Sequence, residues 1–141
     1  MPFASAMKPT IIQQPALRLI TVKAGSFPDG IKAAWRAIED KRAMKGRKAY
    51  GLIYSREGGM EYFAGLVSEG ELEERVTRLP VIEVPGGPCA RIKLEDWQNK
   101  TDQIGPLFAQ MAAENKIDPS RPAMEFYRSF TELHLLLPVK A

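Results

Sequence analysis

The sequence predicts an α+β fold in which one unit of secondary structure occurs twice. Strand-like segments come in pairs, one amphipathic helix precedes each pair, and the order strand, helix, strand, strand recurs in the two halves. No glycine-rich phosphate loop follows a strand, as a Rossmann-type fold would require. We therefore expect a duplicated βαββ unit within 141 residues, the length of one domain, with two helices packed on a single antiparallel sheet.

The first unit begins with a strand and a helix. Residues 17–23 alternate apolar and polar side chains and are rich in β-branched types, which indicates a strand. Ser26 or Asp29 is a suitable cap for the helix that follows, and Gly46 is a suitable end for it. One face of this helix carries four apolar residues at helical spacing: Ile31, Ala34, Trp35 and Ile38.

Two strands complete the first unit. Residues 49–55 and 60–68 have strand composition, and the Arg-Glu-Gly-Gly sequence at 56–59 between them predicts a hairpin turn. Residues 69–75 are polar and predict a connector, for which a single helical turn is one option. The first half thus contains a strand, a helix and a strand pair.

The second unit opens with strand material at 80–84 and 89–94, separated by a Pro-Gly-Gly-Pro turn. Asn99 or Thr101 can cap the second helix, and Pro106 must start or kink its first turns. Strands are predicted at about 123–129 and 132–139. The apolar face of the second helix consists of Ile104, Leu107, Phe108 and Met111.

Composition excludes several classes of protein. Hydrophobic residues make up 45% of the chain and charged residues 26%, which is typical of globular proteins, and a net charge of +3 does not by itself argue for nucleic acid. No apolar run reaches the ~18 residues of a membrane span, and residues 1–15 are expected to form a flexible tail without signal-peptide character. The single Cys89 cannot form an internal disulfide, so we expect a cytoplasmic protein.

Three short motifs carry a family resemblance. Glu-Phe-Tyr at 125–127 precedes a closing strand that ends in Leu-Pro-Val at 137–139, and a Pro/Gly-rich turn at 85–90 leads into the second unit. In this order the chain, over residues 16–141, resembles the GyrI-like small-molecule-binding domain, which serves as the effector module of AraC- and MerR-type regulators. It departs from the family at 95–97, where Glu-Asp-Trp stands in place of a frequent His-x-Gly step.

The resemblance implies a ligand cleft on a pseudo-two-fold axis, with Glu125 in its floor as the charge partner of cationic aromatic compounds. Such a pairing is physically sensible, because a carboxylate in an aromatic cavity attracts a delocalised cation and each ring face adds roughly 0.5–2 kcal/mol. Glu125 and Tyr127 share a strand face, since side chains alternate along a strand. The candidate ligand-contacting aromatics are Tyr127, Tyr54, Tyr50, Trp35 and Trp97. Core packing of Trp35, Tyr50 and Tyr54 is the alternative interpretation.

Other functions stay open at this point. Some GyrI-like proteins hydrolyse electrophilic small molecules, and in that case Glu125 would activate water while Tyr127 or Tyr54 donates a hydrogen bond. A gyrase-inhibitor-like role would use a protein partner, and the basic group at 41–48 is the surface feature that favours it. We expect no cofactor or metal, since His134 is the only histidine and has no ligand partner at suitable spacing. Without a helix-turn-helix we expect no direct DNA binding, and ligand identity and oligomeric state cannot be derived from the sequence.

Overall fold

The computed structural model describes residues 8–141, which form one eight-stranded antiparallel sheet and three α-helices. The helices are α1 (Ile31–Lys41), α2 (Glu71–Thr77) and α3 (Thr101–Glu114), and a 3₁₀ turn covers Trp97–Asn99. The strands are β1 (Thr10–Gln14), β2 (Leu17–Lys23), β3 (Ala49–Arg56), β4 (Gly59–Val67), β5 (Val81–Val84), β6 (Gly87–Glu95), β7 (Ala123–Tyr127) and β8 (Glu132–Pro138). None of these helices is long and apolar enough to cross a membrane.

The predicted α+β fold with two βαββ units is confirmed. The first unit is β2-α1-β3-β4, the second is β6-α3-β7-β8, and α2 with β5 joins them. The strand order is β1-β6-β8-β7-β3-β4-β2-β5. In each unit the last strand lies between the other two, so the order is symmetric about the middle of the sheet. The two units meet where β7 pairs with β3, and this pairing places Glu125 opposite Gly51 near the middle of the sheet.

The two faces of the sheet are buried in different ways. The helix face carries α1 over Ile20, Ala49 and Leu66, and α3 over a second cluster that includes Leu133 and Leu135. The opposite face, which we call the barrel face, buries Leu19, Tyr50, Leu52, Met124 and Leu136, although no helix belongs to that cluster. The sheet curls into a half-barrel, so these side chains pack against one another across its interior.

Strand β1 corrects the expected tail over residues 1–15. Thr10–Gln14 pairs with β6 along its whole length, and Ile12 packs against the barrel-face cluster. The segment is only five residues long and lies between Pro9 and Pro15, so its strand character is weak in the sequence. The first seven residues of the expected tail lie outside the described part of the chain.

The helix ends also differ from the predictions. Gly30 occupies the N-cap of α1 and Lys100 that of α3, both without a side-chain cap bond, so Ser26, Asp29, Asn99 and Thr101 do not cap these helices. Helix α1 ends at Lys41, because Arg42 is already extended. Gly46 instead adopts a positive φ of 77° in the loop beyond it.

A buried carboxylate explains why α1 ends early and why the connector at 69–75 forms a helix. Glu73 on α2 is 6% exposed and accepts hydrogen bonds from Arg42 Nε (3.1 Å) and from Arg47 Nη1 (2.9 Å) and Nη2 (2.8 Å). The backbone N–H of Glu69 donates a further bond of 3.0 Å to the same carboxylate. Arg42 and Arg47, two cations of the basic group at 41–48, are therefore already paired with a carboxylate of the same chain. A protein partner for this group stays a prediction.

Candidate functional site

Glu125 is the centre of the candidate site. It lies on β7, on the helix face, and only 9% of the residue is exposed. Its neighbour Tyr127 packs against both the α3 cluster and the α1 cluster, so the carboxylate lies between the two helices. Within residues 8–141 its hydrogen-bond partners are two phenols, and no ion pair includes it.

The phenols form a compact hydrogen-bonded cluster with the carboxylate. Tyr127 donates to Glu125 Oε1 at 2.8 Å, and the hydroxyl of Tyr62 lies 3.3 Å from the same oxygen. The two hydroxyls are 3.2 Å apart, and Trp35 Nε1 donates to the Tyr62 hydroxyl at 3.0 Å. The Tyr62 oxygen accepts the hydrogen bond from Trp35, so its own O–H is free to donate to Glu125 or to Tyr127.

Burial dominates the electrostatics of the cluster. It raises the pKa of Glu125, while the hydrogen bonds from Tyr127 and Tyr62 act in the opposite direction. Burial and the nearby charge of Glu125 also raise the pKa values of both phenols, so the phenols remain protonated hydrogen-bond donors at neutral pH. When it ionises, Glu125 therefore has hydroxyl dipoles as its partners and no cation within the described chain.

Aromatic rings surround this cluster. The ring of Tyr127 meets Trp35 and Trp97 edge to face, at centroid distances of 5.3 and 5.4 Å. The ring of Phe27, in the loop before α1, stacks on Tyr62 at 6.1 Å and is 38% exposed. The carboxylate is thus enclosed by aromatic side chains from the sheet, from α1, from the 3₁₀ turn and from one exposed loop.

The structure brings together four of the six residues that the sequence predicts for the site: Glu125, Tyr127, Trp35 and Trp97. Tyr50 and Tyr54 are on the barrel face, where they pack against Phe126 (4.7 Å) and Phe63 (5.6 Å). The reason is strand parity, because Gly51 is the β3 residue that opposes Glu125 and its neighbours on that strand point the other way. The expectation that these two tyrosines line the cleft with Glu125 is therefore corrected.

Three residues of the site are not among those six: Tyr62, Phe27 and Gly51. The turn at 57–58 sets the register of the β3–β4 hairpin and pairs Tyr62 with Ile53, so Tyr62 could have been assigned to the face of Gly51. No sequence pattern marks Phe27. Among residues 8–141 no group of three His, Cys, Asp or Glu side chains could hold a metal ion, and His134 lies against Phe126 and Glu132.

No protein-family model and no curated protein matches the chain, but solved structures do. SAV2435 bound to tetraphenylphosphonium has a TM-score of 0.69 at 17% identity, over 96% of this chain and 95% of that one. The EcmrR C-terminal domain has a TM-score of 0.64 at 11% identity, over 95% and 98%. This chain has the GyrI-like fold. A hydrolase from Listeria innocua is also similar to this chain, with a TM-score of 0.58 at 16% identity over 95% and 92%.

Proposed function

We propose that this protein binds amphipathic aromatic cations between its two helices, with Glu125 as the charge partner. The observation that carries the proposal is a carboxylate that is nine-tenths buried, enclosed by aromatic rings, and without an ion pair in the described chain. The rest of the site, namely Tyr62, Tyr127, Trp35, Trp97 and Phe27, would supply ring surface.

A cationic ligand would compensate the cost of burying this carboxylate. Ionised carboxylates are rarely buried without a partner, because desolvation costs several kcal/mol. The phenols of Tyr62 and Tyr127 meet part of that cost as hydrogen-bond donors, but they carry no positive charge. A ligand cation at Glu125 would add the missing charge in a medium where Coulomb attraction is stronger than in water.

The aromatic shell favours cations whose charge is spread over apolar groups. Tryptophan and tyrosine faces attract such cations, and the same rings bury the ligand's hydrocarbon surface. SAV2435, which shares the fold, has been solved bound to tetraphenylphosphonium, a cation that carries four phenyl groups. This similarity in fold supports the choice of tetraphenylphosphonium as the first probe.

We expect the affinity for tetraphenylphosphonium to decrease as the pH falls. The cation itself does not titrate, whereas burial raises the pKa of Glu125, so protonation of Glu125 should compete with the ligand above the usual carboxyl pKa of 4.5. Below the pKa of Glu125, each pH unit should cost about tenfold in affinity. Isothermal titration calorimetry between pH 4.5 and 8 would measure this dependence, and a neutral ligand such as triphenylphosphine oxide should show none.

Two controls make this experiment decisive. Cation binding below the pKa of Glu125 should release protons, which appear as a dependence of the measured heat on the ionisation enthalpy of the buffer. A His134→Gln variant should keep the same pH profile, since His134 packs on the barrel face against Phe126. Affinity that is flat down to pH 4.5 would count against Glu125 as the charge partner, and a complete lack of binding would count against the proposed function.

Hydrolysis of electrophilic small molecules is the second candidate function. Its support is a buried carboxylate with two phenols within 3.3 Å of it, together with the burial that raises the pKa of Glu125 and so makes it a stronger base than an exposed carboxylate. The similar structure of a Listeria innocua hydrolase is consistent with this chemistry on the same fold. In such a reaction Glu125 would accept a proton from water as the water oxygen forms a bond to the electrophilic carbon. Tyr127 would donate a hydrogen bond to the leaving oxygen as its bond to that carbon breaks, and the proton on Glu125 would then pass to the product. Tyr54 is on the wrong face for the role of Tyr127.

A turnover assay separates the two functions. For a hydrolase, incubation with an epoxide or an activated ester should yield more than one equivalent of hydrolysed product per protein, and Glu125→Gln should lower the rate at least a hundredfold, within the range of general-base catalysis. The Tyr54→Phe variant serves as the control and should keep the wild-type rate. Product formation that survives Glu125→Gln would mean that this site performs no hydrolysis.

A further inference from the structure

We propose that Gly51 is a positioning residue, because its missing side chain leaves the space in which the Tyr62 phenol reaches Glu125. This inference rests on the proposed function and extends it, since the position of Tyr62 would set how firmly the site holds a cation. In the β3–β4 and β3–β7 registers Gly51 lies between Ala64 and Glu125, near the middle of the sheet.

The phenol of Tyr62 lies directly on Gly51. A Cβ atom at position 51 would be 2.2 Å from Tyr62 Oη, 2.7 Å from Cζ and 3.0 Å from Cε2. These distances are shorter than van der Waals contacts, so an alanine and the observed phenol position exclude each other. Gly51 does not have a positive φ, and an alanine there would act through its Cβ alone rather than through backbone strain.

Tyr62 cannot make room for a methyl group at position 51 by a small shift that keeps its present contacts. It is 1% exposed, its ring stacks on Phe27, and its hydroxyl accepts the bond from Trp35. An alanine at position 51 would therefore displace the phenol from the cluster and break its 3.3 Å contact with Glu125. The bond to Trp35 would be lost in the same movement.

Loss of the Tyr62 hydrogen bond would destabilise the ionised form of Glu125. The titratable groups that face this carboxylate are Tyr62 on β4 and Tyr127 on β7, whereas α1 presents Trp35 and the 3₁₀ turn presents Trp97, neither of which titrates. Displacement of Tyr62 would leave Tyr127 as the remaining donor. A hydrogen bond to a charged group favours that form, so its loss makes protonation of Glu125 more competitive. At pH values below the pKa of Glu125 we therefore expect cation affinity to fall about three- to tenfold.

The experiment compares Gly51→Ala, Tyr62→Phe and the double variant, with Gly65→Ala as the matched control. Gly65 is also a buried glycine in a central strand, but a Cβ there would face Leu19 and the Tyr50 carbonyl at 3.4 Å, on the barrel face. NMR titration of ¹³C-labelled glutamate carboxyls would give the pKa of Glu125 in the ligand-free protein. Calorimetry would then give the affinity for tetraphenylphosphonium.

Gly51→Ala and Tyr62→Phe should raise the pKa of Glu125 by similar amounts, and the double variant should add nothing, because both changes remove the same contact. Gly65→Ala should leave it unchanged. A Glu125 titration that shifts in Tyr62→Phe but not in Gly51→Ala would overturn the inference. The titration needs no ligand, so it decides the role of Gly51 even where tetraphenylphosphonium fails to bind.

A second variant covers the case in which Gly51→Ala does not fold. Combining Gly51→Ala with Tyr62→Leu removes the phenol ring that the new methyl group would meet. This double variant should regain the far-UV circular dichroism spectrum and the cooperative unfolding of the Tyr62→Leu protein. If it remains unfolded, the space above Gly51 is required by something other than Tyr62, and the inference fails.

Discussion

Glutamine in place of Glu125 should weaken tetraphenylphosphonium binding by about 1.5–3 kcal/mol, roughly tenfold to 150-fold. The amide keeps the size of the side chain and an oxygen that can accept from Tyr127, but it removes the charge that the cation needs. Calorimetry at pH 8, the alkaline end of the titration described above, would measure the difference.

The neutral ligand and a second glutamate provide the controls for this prediction. Triphenylphosphine oxide should bind wild type and Glu125→Gln with nearly equal affinity, because ring contacts do not depend on the charge. Glu61→Gln should have no effect on either ligand, since Glu61 lies on the barrel face and already pairs with Lys23 and Arg56. Equal losses for the charged and the neutral ligand in Glu125→Gln would mean that the variant has damaged the shape of the site rather than its charge.

The residues of the site differ in how far the sequence could predict them. Alternation along β7 places Glu125 and Tyr127 on one face, and the helical spacing of Trp35 places it on the face of α1 that packs on the sheet. Both patterns lie within a single strand or helix, so they predict which side chains share a face without knowledge of the tertiary structure. Trp97 was predicted from its position before the second helix, and in the structure its ring meets Tyr127.

The site residues that were wrongly predicted or missed have a different explanation. Alternation along β3 places Tyr50 and Tyr54 on one shared face, but which face meets the helices depends on the pairing of β3 with β7, strands from different units. A one-residue slip in that register reverses the assignment, and nothing within β3 itself determines it. Phe27 depends on the path of the loop before α1, for which the sequence offers no periodic signal.

Tertiary contacts also override local signals outside the site. Glycine commonly terminates helices, so Gly46 is a reasonable end for α1. The helix nevertheless ends at Lys41, and Arg42 and Arg47 beyond it bind Glu73 on α2. The polar segment at 69–75 has little helical periodicity of its own. It forms α2 because Glu73 binds cations that lie about 30 residues earlier in the chain, a partnership that sequence alone does not reveal.

Alanine in place of Glu73 should lower the free energy of unfolding by about 3–5 kcal/mol. Only 6% of the Glu73 side chain and 10% of the Arg47 side chain are exposed, so the variant leaves a buried guanidinium with only the exposed carboxylate of Glu69, at 3.6 Å, as its ion partner. Urea denaturation at pH 7 would measure the loss. Glu83→Ala is the matched control, because its ion pair with Arg18 is exposed at 70% and 50% of the side chains and should contribute little to stability.

A double variant tests the cause of this loss. Glu73→Ala with Arg47→Met removes both charges, and it should be more stable than Glu73→Ala alone because no uncompensated charge remains buried. Burial by itself would raise the pKa of Glu73, but the bonds from Arg47 and the Glu69 N–H hold it below 4.5. The stabilisation should therefore be complete above about pH 4.5 and should disappear as the pH falls through the lowered value. Equal losses for Glu73→Ala and Glu83→Ala, or a double variant no more stable than Glu73→Ala, would show that the buried ion pair does not hold α2 in place.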